Sequence, residues 1–405
     1  MINLLNENSK MVELIEIYHR LLASTSGKFE RYLMPELQKS RRLTGIIGAR
    51  GTGKTTLLLQ FAKSIIDAAA VLYVSMEEFY FKRNKLIDLA DEFFKKGGKY
   101  LLLDEVHRYP GWSTEIKLIY DRYPDLNVIF TGSSLVELQK GKADLSRRAV
   151  MHELSGLSLR EFINMRSPIT LQSVTFQEIV DHHVDISREI IKQVRPFEHF
   201  EDYLKFGYYP FFTESIDDYH QKLRQVVDLS LSIDMPASFG ISYASSERIA
   251  QMLGIISVSV PFKPDITALS SQVAIDRNTF IKYLGYLEDM QLVRRLYSSV
   301  EGMGQMRKPE KLYLNNTNLM WALGSAAPEK GNIRETFLLN QLSHIQHVYY
   351  PSNGDFEVDK YIFEVGGKTK KRKQIIDQPH GIIVKDDIEI GMKGTIPLWL
   401  FGWLY

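Results

Sequence analysis

The sequence predicts an α/β fold whose first domain has three layers, with a parallel β-sheet between helices. Short apolar runs alternate with helical stretches, which is typical of parallel strands joined by crossover helices. A glycine-rich segment joins the first run to a helix, and an acidic pair ends the third. Ligands of such sheets bind at the carboxyl ends of the strands, so we expect the functional residues there. The four predicted strands lie within residues 43–58, 71–75, 99–105 and 127–134.

Length and composition exclude several classes of protein function. With 405 residues, of which 44% are apolar and 24% charged, the chain is typical of a globular protein of several domains. A net charge of +1 provides no overall attraction to nucleic acid or membrane, so any such attraction needs a local patch. The chain has no cysteine, which excludes disulfides, thiolate metal sites and cysteine nucleophiles.

The sequence pattern predicts neither a secretory signal nor a membrane helix. The first 30 residues carry polar residues through every apolar stretch, unlike a secretory signal. The closing run IPLWLFGWLY is about half of the roughly 20 apolar residues that a membrane helix needs. Together with the lack of cysteine, these features lead us to expect a soluble, cytoplasmic protein without a membrane partner.

The segment GARGTGKT, residues 48–55, matches the phosphate-binding pattern G-x-x-x-x-G-K-[ST] between a predicted strand and a helix. Its backbone N–H groups can close around phosphate oxygens, Lys54 can reach the β- and γ-phosphates, and the Thr55 hydroxyl can bind Mg²⁺. A chance glycine-rich turn is the alternative. The predicted nucleotide-binding residues are Gly48, Arg50, Gly51, Thr52, Gly53, Lys54, Thr55, Thr56 and Asp104.

The run KYLLLDE, residues 99–105, predicts a buried parallel strand that ends in two carboxylates. Asp104 would support Mg²⁺ together with Thr55, and Glu105 would be the base that polarises the attacking water. The alternative is a core strand that is stopped by a solvated acidic pair.

These motifs resemble those of the AAA+ superfamily, with residues 48–55 as Walker A, 101–105 as Walker B and IFTGSS as the strand that carries sensor 1. The resemblance implies ATP, rather than GTP, as the nucleotide. Ser133, which follows Thr131 at this strand end, would sense the γ-phosphate or orient water. An ordinary turn rich in glycine and serine is equally compatible with the stretch.

Residues 144–162 resemble the segment after sensor 1 in a prokaryotic ATPase family that pairs an AAA+ domain with a C-terminal domain of unknown function. In that family a Gly-Arg pair precedes a strand. Here Arg148 takes the arginine position and Arg147 replaces the glycine. An arginine there would act as a finger on the γ-phosphate, within one subunit or across a homo-oligomer interface. Which arginine acts is left open, as is a solvated basic pair at a strand edge.

The same resemblance divides the chain into four domains. They are a P-loop ATPase domain, a helical lid, a winged-helix domain and a small α/β domain similar to restriction endonucleases. The predicted bounds are residues 1–165, 166–240, 241–305 and 306–405. The aromatic residues of FEDYLKFGYYPFF, residues 200–212, lie at helical spacing, which favours a core role.

Two stretches are candidate DNA contacts. Residues 266–297 predict a helix-turn-helix followed by a strand, with an apolar stripe on the second helix. Basic and polar residues on its other face would contact DNA, although winged helices also serve as protein-contact modules; these residues are Arg277, Asn278, Lys282 and Tyr286. The basic loop KTKKRKQ, residues 368–374, would track a phosphate backbone or remain a solvated loop.

In the last domain the resemblance implies a nuclease-like metal site at Asp355, Glu364 and Glu335. The lysine expected two residues after Glu364 is replaced by Gly366, although Lys368 could approach from the following loop. Loss of that cation weakens activation of water, which favours a fold kept for binding or scaffolding.

The sequence therefore predicts an ATP-binding AAA+ ATPase whose nucleotide cycle controls the arrangement of its C-terminal domains, with DNA as a candidate partner. Two alternatives stay open. One is an ATP-gated metal-dependent nuclease, and the other is a nucleotide-dependent interaction switch with little turnover.

Overall fold

The computed structural model of the chain describes residues 2–27, 29–39, 41–132, 145, 147–299, 308–371 and 374–405. These residues form two compact units, which we call unit 1 (Met1–Ser155) and unit 2 (Gly156–Tyr405). The division into four domains stays a prediction. None of the helices among the described residues is both long and apolar enough to cross a membrane.

Unit 1 is built around a parallel sheet, as predicted. Among the described residues, five strands pair in the order β2-β3-β4-β1-β5. The strands are β1 (Leu43–Ile47), β2 (Val71–Ser75), β3 (Tyr100–Asp104), β4 (Asn127–Gly132) and β5 (Val150–Glu153). The helices around them are α1 (Ile2–Ser24), α2 (Met34–Gln38), α3 (Lys54–Ser64), α4 (Leu86–Lys95) and α5 (Trp112–Arg122). The α/β prediction for this domain is confirmed.

The strands form because their residues are apolar on both faces. β1 is buried along its whole length, and Leu101, Leu102 and Leu103 of β3 have no exposed surface. Apolar burial of this kind contributes roughly 25 cal/mol per Å² and outweighs the low strand propensity of Gly45. Parallel pairing then brings the carboxyl ends of the strands to one edge of the sheet.

Unit 2 contains the remaining elements. Its helices are α6 (Leu159–Arg166), α7 (Phe176–Gln193), α8 (Phe197–Phe206), α9 (Tyr219–Leu229), α10 (Met235–Phe239), α11 (Tyr243–Ser257), α12 (Ile266–Gln272), α13 (Arg277–Asp289), α14 (Thr317–Leu323) and α15 (Lys330–Ser343). Its strands are β6 (Val293–Leu296), β7 (Lys311–Leu314), β8 (Phe356–Val358), β9 (Tyr361–Gly366), β10 (Gly381–Lys385) and β11 (Thr395–Pro397).

Helices α12 and α13 form the predicted helix-turn-helix, and β6 pairs with β7 in an antiparallel ribbon. Asp265 and Asp276 cap the two helices by accepting hydrogen bonds from backbone N–H groups of the first turn. The predicted apolar stripe of α13 is buried; it consists of Phe280, Ile281, Leu284, Leu287 and Met290. Assignment of this unit as a winged helix stays a prediction.

The C-terminal part of unit 2 holds a mixed sheet in the order β11-β10-β9-β8. β9, β10 and β11 are parallel, and β8 returns antiparallel to β9. The closing apolar run forms a 3₁₀ helix, Leu398–Trp403, whose residues are all buried. Phe200 and Tyr203 of α8 are also buried, which confirms the core role predicted from their spacing.

Candidate functional site

The loop between β1 and α3 has the backbone conformation that its glycines predict. Gly51 and Gly53 have φ of 83° and 92°, in the left-handed region that favours glycine. A Cβ atom on Gly48 would lie 2.3 Å from the carbonyl oxygen of Leu154, so a larger residue cannot fit there. Lys54 is the first residue of α3, and the loop N–H groups therefore meet the helix N-terminus, where anions bind.

Lys54 is almost fully buried at the centre of this loop. Its Nζ donates to the carbonyl oxygens of Gly48 at 2.9 Å and Ala49 at 3.1 Å, and it lies 4.0 Å from Oε1 of Glu105. The ammonium group is thus held by neutral acceptors of its own loop, within reach of the acidic pair.

The loop is anchored by Arg31, which the sequence analysis missed. Its guanidinium donates to the carbonyl oxygens of Thr52 and Ser155, each at 2.6 Å. The Thr52 hydroxyl in turn donates to the Ala49 carbonyl at 2.9 Å. Of the predicted loop residues, Arg50 is half-buried, whereas Thr55 and Thr56 are exposed.

Asp104, at the end of β3, gathers hydroxyl donors from three elements. The Thr55 hydroxyl donates to Oδ2 at 2.6 Å, the Tyr73 hydroxyl donates to the same oxygen at 2.9 Å, and the Thr131 hydroxyl donates to Oδ1. Burial, first of all, and the neighbouring Asp104 charge raise the pKa of Tyr73, so the phenol stays a donor. Adjacent carboxylate and hydroxyl oxygens are hard ligands that suit Mg²⁺, so Thr55 and Asp104 fit the predicted metal role.

Glu105 adopts a left-handed backbone, with φ of 54° and ψ of 47°, which is rare for a residue with a side chain. Its N–H donates to the Thr131 hydroxyl at 3.0 Å, which stabilises this conformation. Its Oε2 lies 3.2 Å from Nδ1 of His107. His107 belongs to neither sequence motif and was not among the predicted site residues. Burial, followed by the charges of Arg108, Lys54 and Arg50, lowers the pKa of His107 to about 3.

The structure does not bring the predicted finger into this group. Arg148 forms a two-point ion pair with Asp121 of α5, with Nε and one terminal nitrogen 3.1 and 3.2 Å from the two carboxylate oxygens. Arg147 has a left-handed backbone with φ of 72°. The other candidate, Ser133, lies outside the described residues.

A second acidic cluster lies in unit 2. Glu364 on β9 is 1% exposed, and Nζ of Lys370 lies 2.9 Å from its Oε1. Oδ2 of Asp355 accepts the N–H of Val365 at 2.8 Å. Burial, and next the charge of Glu335, raise the pKa of Asp355 to about 6.

The lysine of this cluster is Lys370 and not Lys368, which corrects the sequence-based expectation. A Cβ atom on Gly366 would lie 2.6–2.7 Å from the Lys370 stem, so the glycine makes room for it. Lys370 N–H donates to the Gly367 carbonyl at 2.9 Å, and this turn brings the side chain back to β9. Within the described part of the chain, no three or more His, Asp or Glu residues are grouped so that they could hold a metal ion.

The candidate DNA contacts are partly engaged within unit 2. The ring of Tyr286 packs on Phe239 with centroids 3.8 Å apart, and Lys282 lies over the Tyr286 ring at 5.6 Å. In the basic loop, Lys370 contacts Glu364, while residues 372–373 lie outside the described range. DNA contact by either stretch stays a prediction.

Family models match two parts of the chain. Residues 40–163 match the model described as an AAA domain, and residues 197–330 match a domain of unknown function, DUF8612. The predicted combination of an AAA+ domain with a later domain of unknown function is confirmed.

A curated relative spans nearly the whole chain. An uncharacterized protein of Methanocaldococcus jannaschii is 23% identical over 402 residues, covering 90% of this chain and 84% of the relative.

Solved structures give a weaker likeness. A katanin structure, from work on katanin self-assembly, and C. elegans PCH-2 match 36% and 37% of this chain, which spans 52% and 44% of theirs. AMPPCP-bound DnaA from Aquifex aeolicus matches 67% of this chain and 86% of its own. All three are 16% identical with a TM-score of 0.24, which is too low to bear on function.

Proposed function

We propose that this chain, whose residues 40–163 match the model of an AAA domain, binds ATP and hydrolyses it slowly to ADP and phosphate. One observation carries the proposal: the loop and strand motifs meet in space. The Thr55 hydroxyl lies 2.6 Å from Asp104, and Lys54 lies 4.0 Å from Glu105, although about 50 residues separate the two motifs. A phosphate-binding cation, a pair of metal-binding oxygens and a carboxylate base therefore share one edge of the sheet.

Each residue has a separate role in the proposed reaction. The N–H groups of residues 48–55 and the Lys54 ammonium bind the β- and γ-phosphates. Thr55 and Asp104 would hold Mg²⁺, which would offset the charge of the phosphate oxygens. Glu105 accepts a proton from the water that attacks the γ-phosphate, since it is the more exposed member of the acidic pair.

The nucleotide cycle would regulate the C-terminal part of the chain. Contacts to the γ-phosphate exist in only one nucleotide state, so hydrolysis can shift the populations of domain arrangements. Arg148 is the proposed finger, and it would exchange Asp121 for phosphate when it acts. Its surface position suits action within the subunit or across a homo-oligomer interface.

The test compares steady-state ATPase activity of the wild type with that of Glu105→Gln at several protein concentrations, with and without DNA. We expect Glu105→Gln to lower kcat by at least about 100-fold while the Kd for ATP changes less than about threefold. Specific activity that rises with concentration supports a finger across an interface, and stimulation by DNA supports the α13 surface. Equal turnover in the two proteins contradicts the base assignment, and absent turnover in both favours a nucleotide-dependent interaction switch.

An ATP-gated nuclease is the second candidate, favoured by the contact between Lys370 and Glu364. Lys370 thus supplies, beside the strand carboxylate, the positive charge that is missing at Gly366. Among the described residues, no three or more His, Asp or Glu side chains are grouped as ligands of a nuclease metal ion, so no metal-dependent step is assigned to this cluster. Cleavage of DNA and RNA with Mg²⁺ and ATP, measured for the wild type and Glu364→Ala, is the test. Cleavage by the wild type that is lost in Glu364→Ala would support the nuclease. If the wild type cleaves neither DNA nor RNA, the nuclease is contradicted.

A further inference from the structure

We infer that His107 is a positioning residue for Glu105, because Nδ1 of its buried ring lies 3.2 Å from Oε2 of the carboxylate. The inference rests on the ATPase activity proposed above and extends it to a residue outside the two sequence motifs. His107 would act through Glu105, the residue proposed as the base, with which it forms a close contact.

The geometry divides the two oxygens of Glu105 between two partners. Oε2 lies 3.2 Å from Nδ1 of His107, while Oε1 lies 4.0 Å from Nζ of Lys54. The histidine side chain is 3% exposed, whereas that of Glu105 is 19% exposed. A buried ring thus lies beside one oxygen, and the other lies nearer the lysine that is proposed to bind phosphate.

Local backbone structure places the histidine. The 3₁₀ helix Val106–Arg108 follows Glu105 directly, and the Arg108 N–H donates to the Glu105 carbonyl at 3.0 Å. Val106 is fully buried and anchors this turn in the core of unit 1. Because a glutamate side chain has three rotatable bonds, a fixed partner reduces the number of orientations that it samples.

The charge state of the ring suits this role. With its pKa lowered, mainly by burial, the imidazole is neutral at physiological pH and carries one N–H. In the tautomer with the proton on Nδ1, the ring N–H would lie on the side of Oε2. The ring then orients the base without adding a further positive charge beside it.

The experiment uses the full chain and three substitutions that differ in donor position. His107→Asn keeps a side-chain N–H near the position of Nδ1, His107→Gln moves it to that of Nε2, and His107→Ala removes it. We expect His107→Ala and His107→Gln to lower kcat about 10- to 100-fold with an unchanged Kd for ATP, because a misplaced base loses rate and not binding. His107→Asn should recover at least half of the lost factor on a logarithmic scale.

A double variant separates positioning from folding. In the Glu105→Gln background, His107→Ala should cause no further loss of kcat, since the base on which it acts is gone. Turnover of His107→Ala within twofold of the wild type overturns the inference, as does an Asn variant no better than Gln. If Glu105→Gln loses activity but the His107 variants do not, only this inference fails; if the wild type has no turnover, the proposed function fails with it.

Discussion

The acidic clusters of units 1 and 2 both place a lysine beside a strand carboxylate, but they hold that lysine differently. In unit 1 Lys54 is bound by two neutral carbonyl oxygens and lies 4.0 Å from Glu105. In unit 2 Lys370 lies 2.9 Å from the buried carboxylate of Glu364. The first charge has no close anionic partner among these contacts and can bind phosphate, whereas the second already neutralises a carboxylate. A lysine near a carboxylate therefore indicates a ligand site only when its other contacts are known.

The aspartates of the two clusters, Asp104 and Asp355, also differ in their surroundings. Asp104 accepts hydrogen bonds from three hydroxyl groups. Asp355 is buried near another carboxylate, so its pKa is raised to about 6. The charge of Asp355 in unit 2 therefore changes near pH 6.

The sharpest test of this contrast exchanges each lysine for alanine and measures ATP binding by calorimetry. Lys54→Ala should raise the Kd for ATP at least about 1,000-fold, since charge-assisted hydrogen bonds to two phosphates are lost. Lys370→Ala is the matched control and should bind ATP like the wild type. Equal Kd values for the two variants would contradict the proposed difference between Lys54 and Lys370 in phosphate binding.

The next effect concerns stability. Lys370→Met leaves the buried Glu364 charge without its cation, so we expect the free energy of unfolding of unit 2 to fall by about 3 kcal/mol. Urea unfolding can be followed by the fluorescence of Trp321, Trp399 and Trp403, which all lie in unit 2. The double variant Lys370→Met with Glu364→Gln should recover most of the loss. No recovery would mean that the uncompensated charge is not the cause.

A smaller effect follows from the pKa of Asp355. Its folded-state pKa is raised to about 6 from an ordinary 3.8, so the folded state binds the proton more tightly. The resulting destabilisation is full above pH 6 and is relieved as the pH falls toward 4, by about 2–3 kcal/mol. Asp355→Asn, which can still accept the Val365 N–H, should lack this rise in the free energy of unfolding. A parallel pH profile in wild type and variant would contradict the assignment.

The smallest effect tests the hydroxyl donors of unit 1. Tyr73→Phe removes one of three donors to Asp104, and we expect kcat/KM for ATP to fall about fivefold, equivalent to about 1 kcal/mol. Tyr123→Phe is a matched control, because that hydroxyl donates at 2.9 Å to Asp91, which belongs to α4 and not to the site. A control that loses as much activity as Tyr73→Phe would show a general packing effect.

The sequence predicts well those parts of the site whose residues are contiguous in the chain. The phosphate loop and the acidic strand end are short patterns, and their strands are apolar throughout, so both were identified from local residues alone. Arg31, Tyr73 and Thr131 were not assigned these roles, since their partners lie 21 to 124 residues away in the chain. Pairings of that length depend on strand order and register, which local patterns do not specify.

The error at Lys368 has a different origin. Lys368 is the lysine nearest to the glycine pair in sequence, whereas the chain turns after Gly367 and returns Lys370 to the strand. Turn geometry in a loop follows from a few weak hydrogen bonds, so sequence distance is a poor guide to which side chain returns. The neutral His107 was missed because a lone histidine carries no pattern.

The left-handed backbone conformation of Glu105 implies that selection for stability and selection for activity would favour different residues at this position. A left-handed conformation costs a residue with a side chain about 1 kcal/mol or more, and glycine or asparagine relieves that cost. A library selected only for heat resistance should therefore accumulate Gly or Asn at position 105, and those survivors would lose the proposed base. A library selected for ATP turnover would keep the glutamate and gain its heat resistance elsewhere.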